Sequence, residues 1–314
     1  MIAEHYFDGG FYPAGGASRI AASIEPAIDR AGGKIVVGAE VAQIMVDAHN
    51  RATGVRMADG RELRAPIVMS DAGAWNTFAK LLPEGTGGRA AALAEIASIP
   101  GSMSHVCLYV GLRRGPTDPE FGGTNLWIYP GADHDANVAR FQADPEQPFA
   151  GLFISFPSAK DPTFAERYPG RATIEVIALT PYAWFERWQD TRWKRRGGDY
   201  DALKQRLAER LRGELERHVP AVRGKIEYCE LSTPLSTRHF ANFERGEIYG
   251  VAATPQRFQS RRLGVRTPVR NLYLTGADAG VLGVTGAMFG GALAASAVLR
   301  RNLLGVIGRG KAAA

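Results

Sequence analysis

The residues best placed to do chemistry lie near the end of the chain, in LYLTGADAGVLGVTGAMFGGALAAS, residues 272–296. An apolar strand pattern runs into a glycine-rich turn, and the turn runs into a helix pattern. Gly276, Gly280, Gly283 and Gly286 let a main chain lie against a flat or anionic ligand with no Cβ in the way. The helix that follows aims its first N–H groups and its positive dipole end at whatever sits in the turn. Asp278 comes directly after the strand, where it could accept a hydrogen bond from a sugar-like hydroxyl. The same small residues, with Ala287, Gly290, Ala294 and Ala295, would equally serve close packing of the helix. Composition alone leaves the two readings level.

A second candidate lies at the start, in residues 11–44. Gly15-Gly16 opens a helix pattern, and Gly32-Gly33 closes it before an apolar run and Val41. On its own, a double glycine at a helix start reads as a cap.

Other chemistries find little footing. The six histidines, His5, His49, His105, His134, His218 and His239, are scattered, and none pairs at i, i+4, so no metal site is expected. No G-x-S-x-G surrounds Ser18 or Ser236, which argues against a hydrolase. Asp278 and Glu247 share no helical spacing. Cys107 and Cys229 stand in no CxxC and read as two buried thiols. The formal charge is +6 with a pI near 9.4. Part of the excess falls between Glu247 and Asp278, where Arg257, Arg261, Arg262, Arg266 and Arg270 meet no acid. That run reads as a solvated or phosphate-facing loop, because no nucleic-acid motif accompanies it. In residues 182–196, YAWFERWQDTRWKRR, the spacing predicts a helix with Trp184, Phe185 and Trp188 on one face. It reads as a packed helix ahead of an interfacial membrane anchor. The longest weakly polar run, 284–299, is too short to span a bilayer. A cytoplasmic protein that touches a membrane at most peripherally is the expectation.

Around these motifs the pattern predicts a helix over 16–31 with Ile20, Ile24, Ala27 and Ile28 on one face. Strands follow at 34–38 and 41–46. Asp59-Gly60 marks a hairpin between 53–58 and 61–65, and 67–70 reads as a buried strand. Residues 73–98 read as helix broken near Pro83. Extended runs at 104–112, 125–129, 151–156 and 173–180 suggest an antiparallel sheet. Leu203, Leu207, Leu211 and Leu215 mark an amphipathic helix over 200–218.

Taken together, the motifs resemble one family. They are Tyr12-Pro13-Ala14-Gly15-Gly16, Gly32-Gly33-Lys34-Ile35, Val41-Ala42-Gln43-Ile44, Gly54-Val55 through Asp59-Gly60, and STPLSTRHFANFERGEIYG at 232–250. With the closing glycine motif they are similar to the phytoene desaturase, carotenoid isomerase and retinol saturase family. The resemblance implies FAD as cofactor. It places the backbone around Val41 at the adenine end, and Asp278, preceded by Gly276 and Ala277, at the ribityl or pyrophosphate region. It places the turn Gly283, Val284, Thr285, Gly286 and Ala287 against the flavin ring, and Gly15 and Gly16 near the flavin or the substrate tunnel.

The implied fold is α/β: an FAD/NAD(P)-binding, glutathione-reductase-like domain with an inserted antiparallel-sheet α+β substrate domain. The implied division is 1–99 and 246–314 for the FAD-binding domain and 100–245 for the substrate domain. The implied activity is desaturation or saturation of a carbon–carbon bond in an apolar isoprenoid or lipid. One departure stands out. No GxGxxG strand–turn–helix occurs in the chain, so the first βαβ unit is expected to be missing. A flavin amine oxidase, or a non-catalytic half that needs a partner carrying the dinucleotide-binding unit, are the alternatives.

Overall fold

A computed structural model of the chain describes residues 7, 9–115, 120–260 and 262–310; His5 and Arg261 lie outside them. Along the chain run α1 (Ser18–Arg30), β1 (Val41–Val46), β2 (Ala52–Met57), β3 (Glu62–Arg64), β4 (Val68–Ser70) and α2 (Ala74–Asn76). A π-helical turn, Thr77–Leu81, extends α2, and α3 (Arg89–Ala97) follows. Then come β5 (Ser104–Arg113), β6 (Leu126–Ile128), α4 (His134–Ala143), β7 (Leu152–Ser155), α5 (Pro157–Lys160), α6 (Phe164–Arg167) and β8 (Arg171–Thr180). The last part holds α7 (Gly198–His218), β9 (Ile226–Ser232), α8 (Pro234–Ala241), α9 (Pro255–Gln259), β10 (Leu272–Leu274), α10 (Gly283–Leu299) and α11 (Leu304–Gly310).

The chain divides into two compact units, each described by itself. One comprises Met1–Val36 with His105–Thr233, and the other Val37–Ser104 with Pro234–Ala314. Residues 1–36, grouped with 37–99 in the sequence reading, cluster with the central segment.

The first unit is built on a five-stranded sheet in the order β6-β7-β8-β5-β9, in which β6 and β7, β7 and β8, and β5 and β9 pair antiparallel. Alternation sets its two faces. Val106, Leu108, Val110 and Leu112 on β5 are buried, as are Ile174, Val176 and Ala178 on β8. Helix α7 lies against β9 and buries Leu207, Leu211 and Leu215, as its four-residue leucine spacing predicts.

The second unit holds the three-stranded sheet β1-β2-β3 and a parallel pair, β10-β4. The hairpin forms at Asp59-Gly60 with Gly54 opposite Arg64 and Arg56 opposite Glu62. Leu272, Tyr273 and Leu274 pair in parallel with Val68, Met69 and Ser70. A core of Ile44, Ala74, Phe78, Ile96, Val269 and Leu274 fills this unit.

Three stretches and one cysteine depart from the sequence pattern; the strand at 67–70 forms as β4 but is not buried throughout, with Ile67 and Met69 exposed. Residues 34–38 form no strand, and Ile35, Val36 and Val37 are exposed. An apolar run becomes a strand only beside a partner, and none of the described residues pairs with it. Residues 182–196 are not one helix. They make two short 3₁₀ turns, Tyr182–Trp184 and Glu186–Trp188, that bury Phe185 and Trp188. Cys107 is buried as expected, but Cys229 is exposed on β9.

Candidate functional site

In the second unit, the strand ends of the parallel pair define the site, since ligands of open parallel sheets collect beyond the carboxyl ends of the strands. Both strands lead into an acid, β4 into Asp71 and β10, through the turn, into Asp278. Asp278 is buried, and both of its carboxylate oxygens are already engaged. Oδ2 accepts from the Ala74 N–H at 2.7 Å and Oδ1 from the Val251 N–H at 3.1 Å. It therefore ties the start of α2 and residue 251 to the glycine turn. Gly250 makes room for it, because a Cβ there would lie 2.6 Å from Asp278 Oδ1. Beside it, burial and the Asp278 charge raise the Asp71 carboxyl above the usual carboxylate range.

Arg257, on α9, completes the clamp. The residue is buried and donates to the Val251 carbonyl at 2.6 Å, to the Ala277 carbonyl, and to the Gly280 carbonyl at 3.4 Å. Burial lowers its affinity for a proton, and the Asp278 charge partly restores it. The basic run is thus no uniform solvated loop. Arg257 holds the backbone of the turn, Arg262 pairs with Glu95 at 2.8 Å, and Arg266 donates to the Ala297 carbonyl at 3.0 Å. Sequence reasoning missed this role for Arg257, because nothing in an acid-free stretch marks which arginine turns inward.

The glycines of the turn split into two sets. Gly276, Gly280, Gly286 and Gly290 interlock. A Cβ on Gly286 would fall 1.9 Å from the Val281 carbonyl oxygen, and one on Gly290 2.1 Å from that of Gly276. Packing of α10 onto its own turn needs these positions small. Gly283 meets nothing within 4 Å. Val284 and Thr285 are exposed, and Ala287 is half-buried. Helix α10 begins with no side-chain cap and no acid in its first turn, so its leading N–H groups face outward unpaired by side chains.

Next to Asp278 lies a cavity of about 300 Å³ whose walls include Trp75, Asn76, Ile99, Phe243, Glu247 and Gly250. The Asn76 amide nitrogen donates to the Ala72 and Asn242 carbonyls, both at 2.9 Å, and leaves its buried oxygen without a partner. Burial pushes the Glu247 carboxyl up.

The remaining predicted positions fall elsewhere. Val41 opens β1 and pairs with Met57. Gly15 and Gly16 belong to the first unit, where the Gly15 N–H donates to Asp161 Oδ1 at 2.9 Å. Among the described residues no cluster of three or more His, Cys, Asp or Glu could hold a metal ion. None of the described helices is long and apolar enough to cross a membrane.

No family model matches the chain. All-trans-retinol 13,14-reductase from Danio rerio is 34% identical over 313 residues, covering 96% of this chain and 52% of that protein. Prolycopene isomerase from Arabidopsis thaliana is 27% identical, covering 98% and 51%. Phytoene desaturase (lycopene-forming) from a Paracoccus species is 29% identical, covering 88% and 53%. The chain is thus similar to proteins of the phytoene desaturase, carotenoid isomerase and retinol saturase family. It spans about half the length of the curated relatives it matches. An oxidoreductase from Methanosarcina mazei is similar in fold, with a TM-score of 0.54 at 18% identity, over 92% of this chain and 55% of that one. The α/β architecture with antiparallel sheets agrees with that kinship.

Proposed function

We propose that this chain is the C-terminal part of an FAD-dependent oxidoreductase that saturates or desaturates a carbon–carbon bond of an apolar isoprenoid or lipid. The observation that carries the reading is the match to all-trans-retinol 13,14-reductase, which runs over 96% of the chain and includes the closing glycine motif. FAD, when bound, supplies the hydride exchange, and the protein supplies position and electrostatics. The open N-terminus of α10, from Gly283 to Ala287, would favour negative charge on the cofactor. Asp278 and Arg257 fix the turn before any ligand arrives, so Gly276, Ala277 and Gly283 are held for contact rather than ordered by it. With both oxygens engaged in the chain, Asp278 acts on the ribityl or pyrophosphate region chiefly by shaping the turn. Val41, at the start of β1, would serve the adenine end.

The dinucleotide-binding βαβ unit, in this reading, lies outside these 314 residues, in the same polypeptide or in a partner. Two features support that. Helix α1 is amphipathic yet buries none of its residues. The apolar run Ile35, Val36 and Val37 is exposed and joins no strand, as an apolar segment is when its partner lies elsewhere. The ligands this reading calls for are an apolar small molecule and FAD, with no nucleic acid. A peripheral membrane contact would deliver such a substrate.

The test is to express the chain together with its upstream reading frame, or with a separate GxGxxG-bearing polypeptide, and to record the flavin spectrum of the purified product. A yellow protein with stoichiometric FAD is expected. A folded but colourless product in both formats overturns the reading.

A further inference from the structure

Strand β5 carries one glycine, Gly111, and its ladder with β9 shifts there. Gly111 stands opposite Tyr228 and Leu112 opposite Ile226, so Glu227 is the extra residue of a bulge. An unbroken register would set Glu227 opposite Leu112, on the side where Leu112 is buried. The bulge turns it away, and its carboxylate pairs with Arg113 of β5 and with Arg171 at the start of β8. Glycine within a strand weakens the ladder and often marks a place where another group comes close.

A cavity of about 400 Å³ opens beside this bulge, wholly within the first unit. Gly111 adds no side chain to its lining, and Phe164, Tyr168 and Tyr228 supply three rings. The Phe164 and Tyr168 rings lie 5.1 Å apart, and the Arg167 guanidinium sits 5.9 and 5.4 Å from their centres. Arg167 is neutralised by Asp161, with which it pairs. Arg171 and Glu227 also line the cavity. Here the balance differs. Arg113 and Arg171 are both exposed and share the one carboxylate of Glu227, so this trio carries one net positive charge. A guanidinium has five N–H groups, and a single carboxylate oxygen on each arginine leaves most of them for a second acceptor.

We propose that this cavity binds a planar aromatic carboxylate, its ring among Phe164, Tyr168 and Tyr228 and its carboxylate on Arg171. Ring faces in offset or edge contact favour a flat aromatic body. The planar fork of arginine matches a carboxylate in both geometry and charge. The single net charge selects a monoanion. A neutral ligand leaves it uncompensated, and a dianionic phosphate ester meets the Glu227 charge. The ligand is compact and charged, unlike the long apolar substrate proposed above, and no residue of the second unit takes part.

The test titrates the 314-residue chain, without flavin, with 2-naphthoate, 2-naphthol and 2-naphthyl phosphate at pH 7 in a calorimeter. 2-Naphthoate is expected to bind one site about fivefold tighter than either of the others, the worth of one ion pair at a hydrated rim. Arg171→Gln should remove that margin and leave 2-naphthol unchanged. Glu227→Gln, which frees both guanidiniums, should tighten 2-naphthoate and admit the phosphate. Absence of saturable 2-naphthoate binding, equal affinity for 2-naphthoate and 2-naphthol, or a margin that survives Arg171→Gln overturns the proposal. If Arg171→Gln does not fold, Tyr168→Ala must weaken 2-naphthoate at least threefold, and an unchanged affinity counts as overturning. Failure here leaves the oxidoreductase reading standing, and failure of FAD loading leaves this site standing.

Discussion

At the scale of single residues, the glycine turn is a packed object first and a ligand surface second. Gly286→Ala and Gly290→Ala place a methyl against main-chain carbonyls, so each is expected to cost about 3 kcal/mol in urea unfolding. Gly283→Ala meets open space and should cost about 1 kcal/mol, for the positive φ of 79° alone. Val284→Glu separates packing from binding. An acid at an exposed helix start should stabilise by a few tenths of a kcal/mol, yet repel an anionic cofactor and lower flavin retention in the complemented protein. Replacing Arg257 with methionine strands the Val251 and Ala277 carbonyls and should cost about 3 kcal/mol. Lysine should recover little, having no planar fork to reach two carbonyls. Asp278 was legible in the sequence as a residue that matters, but its task was not. A carboxylate after a strand suits a sugar hydroxyl and a backbone N–H equally well, and only the chain's path past residues 74 and 251 decides.

At the scale of elements, local pattern was reliable wherever an element finds its partners within these residues. The hairpin at Asp59-Gly60, the leucine helix α7 and the antiparallel runs all formed. Residues 34–38 failed for want of a neighbour, and 182–196 failed because its aromatics are buried through tight turns instead of along one helical stripe. The loop carrying Gly15 adds a pH-dependent element. Hydrogen bonds from Gly15 and Thr163, with Arg167 nearby, hold the Asp161 carboxyl below the usual carboxylate range. The anchoring it provides is therefore full above the ordinary carboxylate pKa and is lost as pH falls through the lowered value. Amide exchange at Gly15 should accelerate in that acid window, and in Asp161→Ala it should be fast at every pH.

For the whole molecule, the division into two discontinuous units was only partly readable. A switch to long extended runs after Pro100-Gly101 signalled the insertion, but no local pattern marks where residues 1–36 cluster. Strands β5 and β9 enter and leave the five-stranded unit side by side, with Cys107 opposite Ser232. The two ends of segment 105–233 are thus neighbours. Excision of 105–233, with Ser104 rejoined to Pro234 through a short turn, would shorten the link between β4 and β10 by roughly 130 residues and lower the closure cost of that parallel pair by about 1 kcal/mol. The remaining 37–104 and 234–314 would keep both strands of the parallel pair and the core around Ile44, Phe78 and Leu274.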